Sequence, residues 1–251
     1  MLPTRFLRST ALLVVCLVWT PVAVSAADSL SQGQREEVIN LVRELFKANP
    51  EIVVEALQVF QQKQEQLQAE AQKGALTAMK SELENDPSSP VAGNPDGDVT
   101  IVEFMDYRCG YCKRVFPDLV KLLEEDGNIR YVFKEFPVLG KESELAARAA
   151  LAVWNIAPDK YFDFHKALMN NRGAITQSKL IDEADDLDID EDDLTKAMAD
   201  AKVDAALQKT FSIAKALDIR GTPAFIVGGH LVPGAIGLDA LKELVALARK
   251  G

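Results

Sequence analysis

Two cysteines separated by two residues, Cys109 and Cys112, are the side chains of this sequence best suited to chemistry. They flank Gly110-Tyr111 and fall where a strand-like run gives way to a helix-like one. Thiols one helical turn apart can close into a small disulfide and reopen. The unpaired N–H groups and the positive dipole end of a helix start stabilise a thiolate, so Cys109 is the candidate nucleophile. Cys112, one turn further in, is the candidate resolving thiol, which attacks the mixed disulfide between Cys109 and a substrate.

Other roles for the same pair have less support. A purely stabilising bridge would close a loop of only a few residues, which adds little stability. A zinc site needs further thiols or imidazoles, and beyond residue 26 the sequence offers only His165 and His230, which we interpret as scaffold residues. Two thiolates do suffice for Cu(I), a soft ion that prefers sulfur, so copper binding stays open as an alternative. We expect no cofactor and no resident metal.

The order of strand and helix patterns indicates how the cysteine pair is positioned. The predicted elements are strands at 99–104 and 129–136, a helix at 112–125 between them, a hairpin at 224–232 and a closing helix at 238–249. Residues of about 141–218 are helical almost throughout. The sequence therefore predicts an α/β domain at 99–251, with a thioredoxin fold interrupted by an all-helical subdomain.

The run Gly221-Thr222-Pro223 immediately precedes the predicted strand at 224–227. A proline that opens a strand is often only a boundary residue. In the predicted fold, however, this position holds a cis-proline loop that faces the cysteine pair. Such a loop leaves backbone groups of Thr222 free to pair with an extended substrate strand beside Cys109. Thr222 and Pro223 are therefore candidate substrate-binding residues.

Over about residues 96–250 the chain resembles the DsbA-like disulfide oxidoreductases of the thioredoxin superfamily. The runs that carry the resemblance are Val102-Glu103-Phe104-Met105-Asp106-Tyr107-Arg108-Cys109-Gly110-Tyr111-Cys112, Phe133-Lys134-Glu135-Phe136-Pro137 and Gly221-Thr222-Pro223-Ala224-Phe225. The resemblance implies that Cys109 is the nucleophile, Cys112 the resolving thiol, and Pro223 a cis-proline with Thr222 before it.

The resemblance also implies a role for Glu103, which matches a buried acid that passes protons to and from Cys112. The alternative is that Glu103 is an ordinary strand residue paired with Lys134. One departure concerns the residues between the cysteines, where monomeric DsbA oxidases tend to carry Pro-His. Tyr111 in place of that histidine removes a cationic partner of the thiolate, which argues against strong oxidase behaviour.

Residues 27–85 are predicted to be helical, with a break at Asn49-Pro50. The second helix carries a seam at alternating steps of four and three, formed by Val53, Leu57, Phe60, Gln64, Leu67, Ala71, Gly74 and Ala78. Such a seam favours packing against helices of other copies. The alternative is packing on the protein's own catalytic domain. The Pro-, Gly- and Ser-containing stretch 86–98 is predicted to be a linker, which favours self-association.

The helical segment resembles the periplasmic copper-stress proteins called suppressor of copper sensitivity C, some of which are trimeric disulfide isomerases. Ahead of it, residues 1–26 combine two arginines, an apolar core that contains Cys16, and the small-residue site Val24-Ser25-Ala26. This pattern predicts a cleaved signal peptide and a soluble periplasmic protein with one cysteine pair. A net charge of -10 argues against nucleic acid as a partner.

Our first functional hypothesis is an oligomeric disulfide isomerase that acts on exported proteins. Several catalytic domains joined through their helical segments would present a high effective concentration of thiolates to one misfolded client. The resemblance implies a trimer and a membrane redox partner. The alternatives are a dithiol oxidase of the DsbA type and a copper(I)-binding copper-tolerance protein.

Overall fold

The computed structural model describes residues 30–250. The predicted signal peptide, 1–26, lies outside the described residues, and so does Cys16. The chain divides into two compact units, one ending at Gln62 and the other beginning at Lys63.

The first unit is helical. Helix α1 spans Gln32–Ala48, and helix α2, Glu51–Ala78, begins in this unit and continues into the second. Ser31 opens α1 with a capping box, in which its side chain and that of Gln34 each accept a hydrogen bond from the other residue's backbone N–H. No residue of α1 is buried, and its apolar side chains Val38, Leu41, Val42, Leu45 and Phe46 are all exposed. The described residues of this unit therefore include a set of exposed apolar side chains.

The second unit is built on a five-stranded sheet with the strand order β1-β3-β2-β4-β5. The strands are β1 Val91–Gly93, β2 Val99–Met105, β3 Ile129–Glu135, β4 Ala224–Val227 and β5 His230–Pro233. Strands β2 and β3 are parallel, and all other neighbours are antiparallel. The helices are α3 Lys80–Glu84, α4 Gly110–Glu125, α5 Lys141–Ile156, α6 Tyr161–Asn170, α7 Gln177–Asp185, α8 Glu191–Met198, α9 Ala201–Ala216 and α10 Leu238–Ala248. The predicted thioredoxin fold with a helical insertion is confirmed.

The two faces of the sheet bury different residues because side chains alternate along each strand. One face packs against α4, α10 and helices α5 to α8, and includes Ile101, Met105, Tyr131 and Phe133. The other face is covered by α9 and by the region where α2 leads into α3. On that face Leu76 and Leu83 are buried against the sheet, at 5% and 1% exposure. For the last turns of α2, packing on the protein's own domain is thus the arrangement observed.

The stretch 86–98 differs from the predicted linker. Strand β1 lies within it and pairs with β3, so the stretch is part of the sheet. Lys134 reaches across from β3 to donate to the carbonyl oxygen of Glu82 at 2.7 Å and to Ser89 Oγ at 2.7 Å, and lies 3.7 Å from Asp86. Proline and glycine content suggested flexibility, but the buried lysine and the strand pairing fix the segment to the domain.

The helical insertion runs from Lys141 to Ala216 as five helices. Short breaks separate them, including a 3-10 turn at Pro158–Lys160. Across residues 30–250, no helix is both long enough and apolar enough to cross a membrane.

Candidate active site

The two cysteines lie where β2 leads into α4, and both are free and buried. Cys109 is the N-cap residue of α4, and Cys112 lies in the first turn. The loop before them is held by Asp106, whose backbone oxygen accepts from the N–H of Cys109 at 3.0 Å. The Asp106 carboxylate accepts from the N–H of Arg108 at 2.7 Å. The start of the helix is therefore fixed relative to the end of β2.

Asp106 also joins this loop to the neighbouring elements. Its buried carboxylate accepts hydrogen bonds from the N–H groups of Val138 and Leu139, at 2.8 and 3.0 Å, and from Ser143 Oγ at 2.7 Å. Sequence reasoning missed this residue. Its position three residues before Cys109, directly after a buried strand, was the available signal, because Asp commonly accepts from backbone N–H groups in turns.

The two thiols have opposite pKa shifts. The pKa of Cys109 is lowered from 9.0 to about 5, chiefly because the Cys112 thiol donates a hydrogen bond to its sulfur. The Thr222 side chain and the N–H groups of Cys112 and Tyr111 add to this, while burial opposes it. The same contact between the sulfurs, with burial and the negative charge of Glu103, raises the pKa of Cys112. At neutral pH the pair thus holds one thiolate and one thiol, with the charge on Cys109.

The loop at Thr222-Pro223 faces the cysteine pair, and its peptide bond is cis. The Sγ of Cys109 lies 3.2 Å from the carbonyl oxygen of Thr222. The Pro223 carbonyl accepts from the N–H of Gly234 at 2.9 Å, which fixes the loop next to β5. The structure therefore brings together four of the residues proposed from the sequence, two at the start of α4 and two from a loop more than a hundred positions away.

Glu103 lies on the same face of the sheet as the first core and is 2% exposed. The hydroxyl of Tyr131 donates to its carboxylate at 2.7 Å. Burial raises the pKa of Glu103 to about 8, with the charge of Cys109 adding to the shift and the Tyr131 hydrogen bond opposing it. The alternative pairing with Lys134 does not occur, because the register partner of Glu103 is Phe133 and Lys134 points to the opposite face.

A second buried acid, Glu135, follows on the neighbouring strand, and sequence reasoning missed it. The hydroxyls of Tyr107 and Tyr161 each donate to its Oε1 at 2.9 Å, and burial raises its pKa to about 8. His165 Nδ1 lies 2.9 Å from the Tyr107 hydroxyl. The signal in the sequence was an acid at a position that strand alternation assigns to the buried face.

The two histidines occupy scaffold positions. His165 is completely buried among aromatic rings, and burial lowers its pKa to about 3. His230 is exposed, with Nδ1 3.1 Å from the carbonyl oxygen of Gly228. Neither joins the cysteine pair, and the described part of the chain holds no group of three or more His, Cys, Asp or Glu side chains arranged to bind a metal.

Residues 84–246 match the family profile described as thioredoxin, and this range is well over half of the sequence. The chain belongs to the thioredoxin family. Residues 34–66 also match the profile described as copper resistance protein ScsC N-terminal domain. Residues 67–83 fall between the two matched ranges.

Two curated relatives differ in how much of their length this chain spans. Disulfide bond formation protein D of Bacillus subtilis is 30% identical over 172 residues, which cover 64% of this chain and 78% of that protein. The Na(+)/H(+) antiporter NhaA 1 of Salinispora arenicola is 29% identical over 163 residues, which cover 64% of this chain but only 25% of the antiporter.

Three solved structures of oxidoreductases or ScsC proteins are also similar to this chain. A thioredoxin-like oxidoreductase from Silicibacter pomeroyi is 40% identical, with a TM-score of 0.65 over 68% of this chain and 98% of that one. A linker-deletion mutant of Proteus mirabilis ScsC is 29% identical, with a TM-score of 0.68 over 90% and 99%. The thiol-disulfide exchange protein alpha-DsbA2 of Wolbachia pipientis is 32% identical, with a TM-score of 0.66 over 70% and 95%. The resemblance to DsbA-like proteins, with an N-terminal segment like that of ScsC, is confirmed.

Proposed function

We propose that this protein is a thiol-disulfide oxidoreductase of exported proteins that works mainly as a disulfide isomerase. The observation that carries the proposal is the Cys109 sulfur, which has a pKa of about 5 and lies 3.2 Å from the Thr222 carbonyl. A thiolate that is abundant at neutral pH attacks disulfides readily. An extended client strand that pairs with the backbone of Thr222 would bring its own sulfur to Cys109.

The reaction begins when the Cys109 thiolate attacks one sulfur of a client disulfide. A mixed disulfide forms, and the other client sulfur leaves as a thiolate. In isomerisation, a different client thiolate attacks the mixed disulfide, so the client gains a new disulfide and Cys109 returns as a thiolate. No electrons are gained or lost overall, and the enzyme needs only to begin in the reduced state.

Cys112 provides a second route by which the mixed disulfide can be resolved. Its thiol loses a proton and its sulfur attacks Cys109, which releases the client as a thiol and leaves the Cys109–Cys112 disulfide. The client is reduced by two electrons and the enzyme is oxidised by two. In our proposal the Glu103 carboxylate accepts the proton of Cys112, since both are buried and the pKa of Glu103 lies at about 8.

Isomerisation is favoured over simple oxidation by the N-terminal unit. Helices α1 and α2 expose an apolar surface, which is what oligomerisation would cover, and residues 34–66 match the ScsC N-terminal profile. Several Cys109 thiolates held in one oligomer would meet the same client repeatedly. We propose the periplasm as the location, a trimer as the assembly, and a membrane protein as the electron donor that keeps the cysteine pair reduced.

Refolding of a scrambled disulfide protein tests the proposal. The reduced enzyme, without any other redox reagent, should restore activity to scrambled ribonuclease, and Cys109→Ser should abolish this. Cys112→Ser should retain part of it, because isomerisation through Cys109 alone is complete without Cys112. Failure to rescue the scrambled protein, together with rapid oxidation of reduced peptides by the disulfide form, would instead assign the protein as a dithiol oxidase.

Copper(I) binding is the second candidate, because the N-terminal match is to a copper resistance protein. The two sulfurs of Cys109 and Cys112 would be its ligands. The raised pKa of Cys112 makes this role less favourable, since copper must displace the proton of a buried thiol. Titration with Cu(I) against a competing chelator tests it. A copper role predicts tight binding that Cys112→Ser abolishes, whereas the isomerase proposal predicts weak binding.

A further inference from the structure

A groove of about 1000 Å³ opens beside the Thr222-Pro223 loop. One wall is this loop with Ile219 and, from β5, Leu231; the other is the last part of α2, formed by Gln68, Ala71, Gln72 and Ala75. Both walls belong to the unit that begins at Lys63. The α2 wall lies in the range 67–83, which neither family profile covers.

The position of the α2 wall is fixed by the core. Leu76, next to Ala75, is buried against the sheet, and so is Leu83 in the short helix that follows. Beyond them, Lys134 and Arg130 donate to the carbonyl oxygens of Glu82 and Glu84. The wall is therefore held at its C-terminal end by apolar burial and by side chains of β3.

The groove lies close to the Cys109 sulfur, because the two share Thr222. Thr222 lines it, and the carbonyl oxygen of the same residue is 3.2 Å from Cys109 Sγ. Among the described residues, the backbone N–H of Thr222 donates to no other group. An extended polypeptide that pairs with Thr222 beside Cys109 would thus continue along this groove.

The chemistry of the lining indicates which polypeptide fits. Ala71 and Ala75 are short side chains, and on the α2 wall the polar groups are the Gln68 and Gln72 amides, which can both donate and accept hydrogen bonds. The charged residues of the groove, Asp218 and Arg220, bind each other through two hydrogen bonds of 2.8 and 3.1 Å. The lining offers no uncompensated charge to a ligand.

We propose that the last turns of α2 form a wall of the client-binding site, which recognises an extended, uncharged segment with apolar side chains next to the client's reacting cysteine. This inference rests on the proposed function and adds a substrate class to it. It also assigns α2 a second role, because its N-terminal part belongs to the first unit and its last turns contact the client.

Two charge variants of the full-length protein test the proposal. Ala71→Glu places a charge in the groove, while Ala69→Glu places the same charge on the same helix outside the groove lining. Both alanines are exposed, and Glu is a good helix former, so both variants should fold. The probes are bis(2-hydroxyethyl) disulfide, which is small and uncharged, and a synthetic peptide flanked by valines and alanines, whose one cysteine forms a mixed disulfide with 2-mercaptoethanol.

We expect Ala71→Glu to slow exchange with the apolar peptide about tenfold, which corresponds to about 1.4 kcal/mol of lost binding, without slowing exchange with bis(2-hydroxyethyl) disulfide. Ala69→Glu should change neither rate. A peptide with lysines in place of the valines should react faster with Ala71→Glu than with the unmodified protein, because the new carboxylate attracts it. A variant that slows the apolar peptide but speeds the lysine peptide cannot be explained by a general disturbance of the structure.

Equal peptide rates for Ala71→Glu and Ala69→Glu would overturn the inference. So would a loss of oligomer mass in Ala71→Glu alone with unchanged peptide exchange, since the groove would then hold a second copy of the chain. Failure of the unmodified protein to exchange with either probe would instead contradict the proposed function itself.

Discussion

Cys109 and Cys112 differ in protonation although they are three residues apart. The proton stays on Cys112 because this thiol donates to the Cys109 sulfur and is more deeply buried, and because an ionised Glu103 would repel a thiolate there. Cys109 has hydrogen-bond donors around it, so it carries the negative charge. The hydrogen bond between the two sulfurs is the largest cause of the low pKa of Cys109.

Replacing Cys112 tests that contact. The rate of alkylation of Cys109 by iodoacetamide should fall as the pH falls through about 5, where the thiolate becomes protonated. Cys112→Ala removes the largest cause of the low pKa and should move this midpoint clearly upward. Cys112→Ser keeps a hydrogen-bond donor and should move it less. Identical midpoints in the alanine and serine variants would show that the Cys112 donor is not what lowers the pKa.

The linked effect on folding has a definite sign. Because the pKa of Cys109 is lower in the folded protein, its thiolate stabilises the reduced fold above the unfolded pKa, and this stabilisation is lost as the pH falls through about 5. The oxidised protein has no such titration. The difference in unfolding free energy between the reduced and oxidised forms should therefore decrease as the pH falls from 9.0 to about 5.

Glu103→Gln, with Glu135→Gln as a matched control, tests proton transfer. Both acids are buried and both have a pKa of about 8, but the Cys112 pKa responds to Glu103. We expect Glu103→Gln to slow release of the mixed disulfide by Cys112 about a hundredfold. In the unmodified protein this rate should rise with pH up to about 8, as Glu103 becomes a base, and this rise should be absent in Glu103→Gln.

Stopped-flow measurement of mixed-disulfide decay separates these outcomes. Glu135→Gln should retain the rise with pH, since its carboxyl is hydrogen-bonded to Tyr107 and Tyr161. If both variants lost it equally, the effect would come from packing around the buried acids, and the role proposed for Glu103 would be wrong.

Among the elements, the segment from α3 to β1 joins α2 to the sheet. Lys134, on the face of β3 that α9 and the α2–α3 region cover, is the centre of this connection, with Asp86 3.7 Å away. Trp154 Nε1 of α5 adds a hydrogen bond of 3.0 Å to the carbonyl oxygen of Pro87. The segment is thus held from two sides, by the sheet and by the helical insertion.

Removing Lys134 should destabilise the second unit strongly. Lys134→Ala leaves the mostly buried Asp86 without its buried partner, and we expect a loss of about 3 kcal/mol in unfolding free energy. Lys209 also lies near Asp86, at 3.1 Å, but its side chain is 39% exposed. Lys209→Ala should therefore lower the free energy of unfolding by less than about 1 kcal/mol. Urea unfolding of the oxidised protein measures both, and equal losses would contradict the assigned role of Lys134.

At the scale of the whole molecule, the exposed apolar side chains of α1 and α2 indicate a protein–protein interface. Leu57 and Phe60 are 56% and 58% exposed. Contiguous apolar surface of this kind marks interaction sites in soluble proteins. We propose that other copies of the chain cover it.

Light scattering of full-length variants tests this assembly. Produced from residue 27 onward, the protein should have the mass of a trimer, and Leu57→Glu should reduce this mass towards that of one chain by placing a charge in the interface. Gln58→Glu adds the same charge one position along and should leave the mass unchanged. A monomeric unmodified protein would remove the basis for repeated contact with one client.

Much of this protein follows from the sequence because the decisive signals are local. The Cys109–Cys112 spacing, the proline before β4 and the strand and helix periodicities depend on neighbouring residues, and they predicted the fold class, the cysteine pair and the Thr222-Pro223 loop. Tertiary structure decided what depends on distant partners. Because of burial and strand register, the hydrogen-bond partner of Glu103 is the Tyr131 hydroxyl and not Lys134. Lys134 instead lies beside Asp86, and this contact fixes a segment that its composition predicts to be a linker. The physical reason is that pKa values and the pairing of buried charges are set by contacts across the core, which composition and periodicity do not encode.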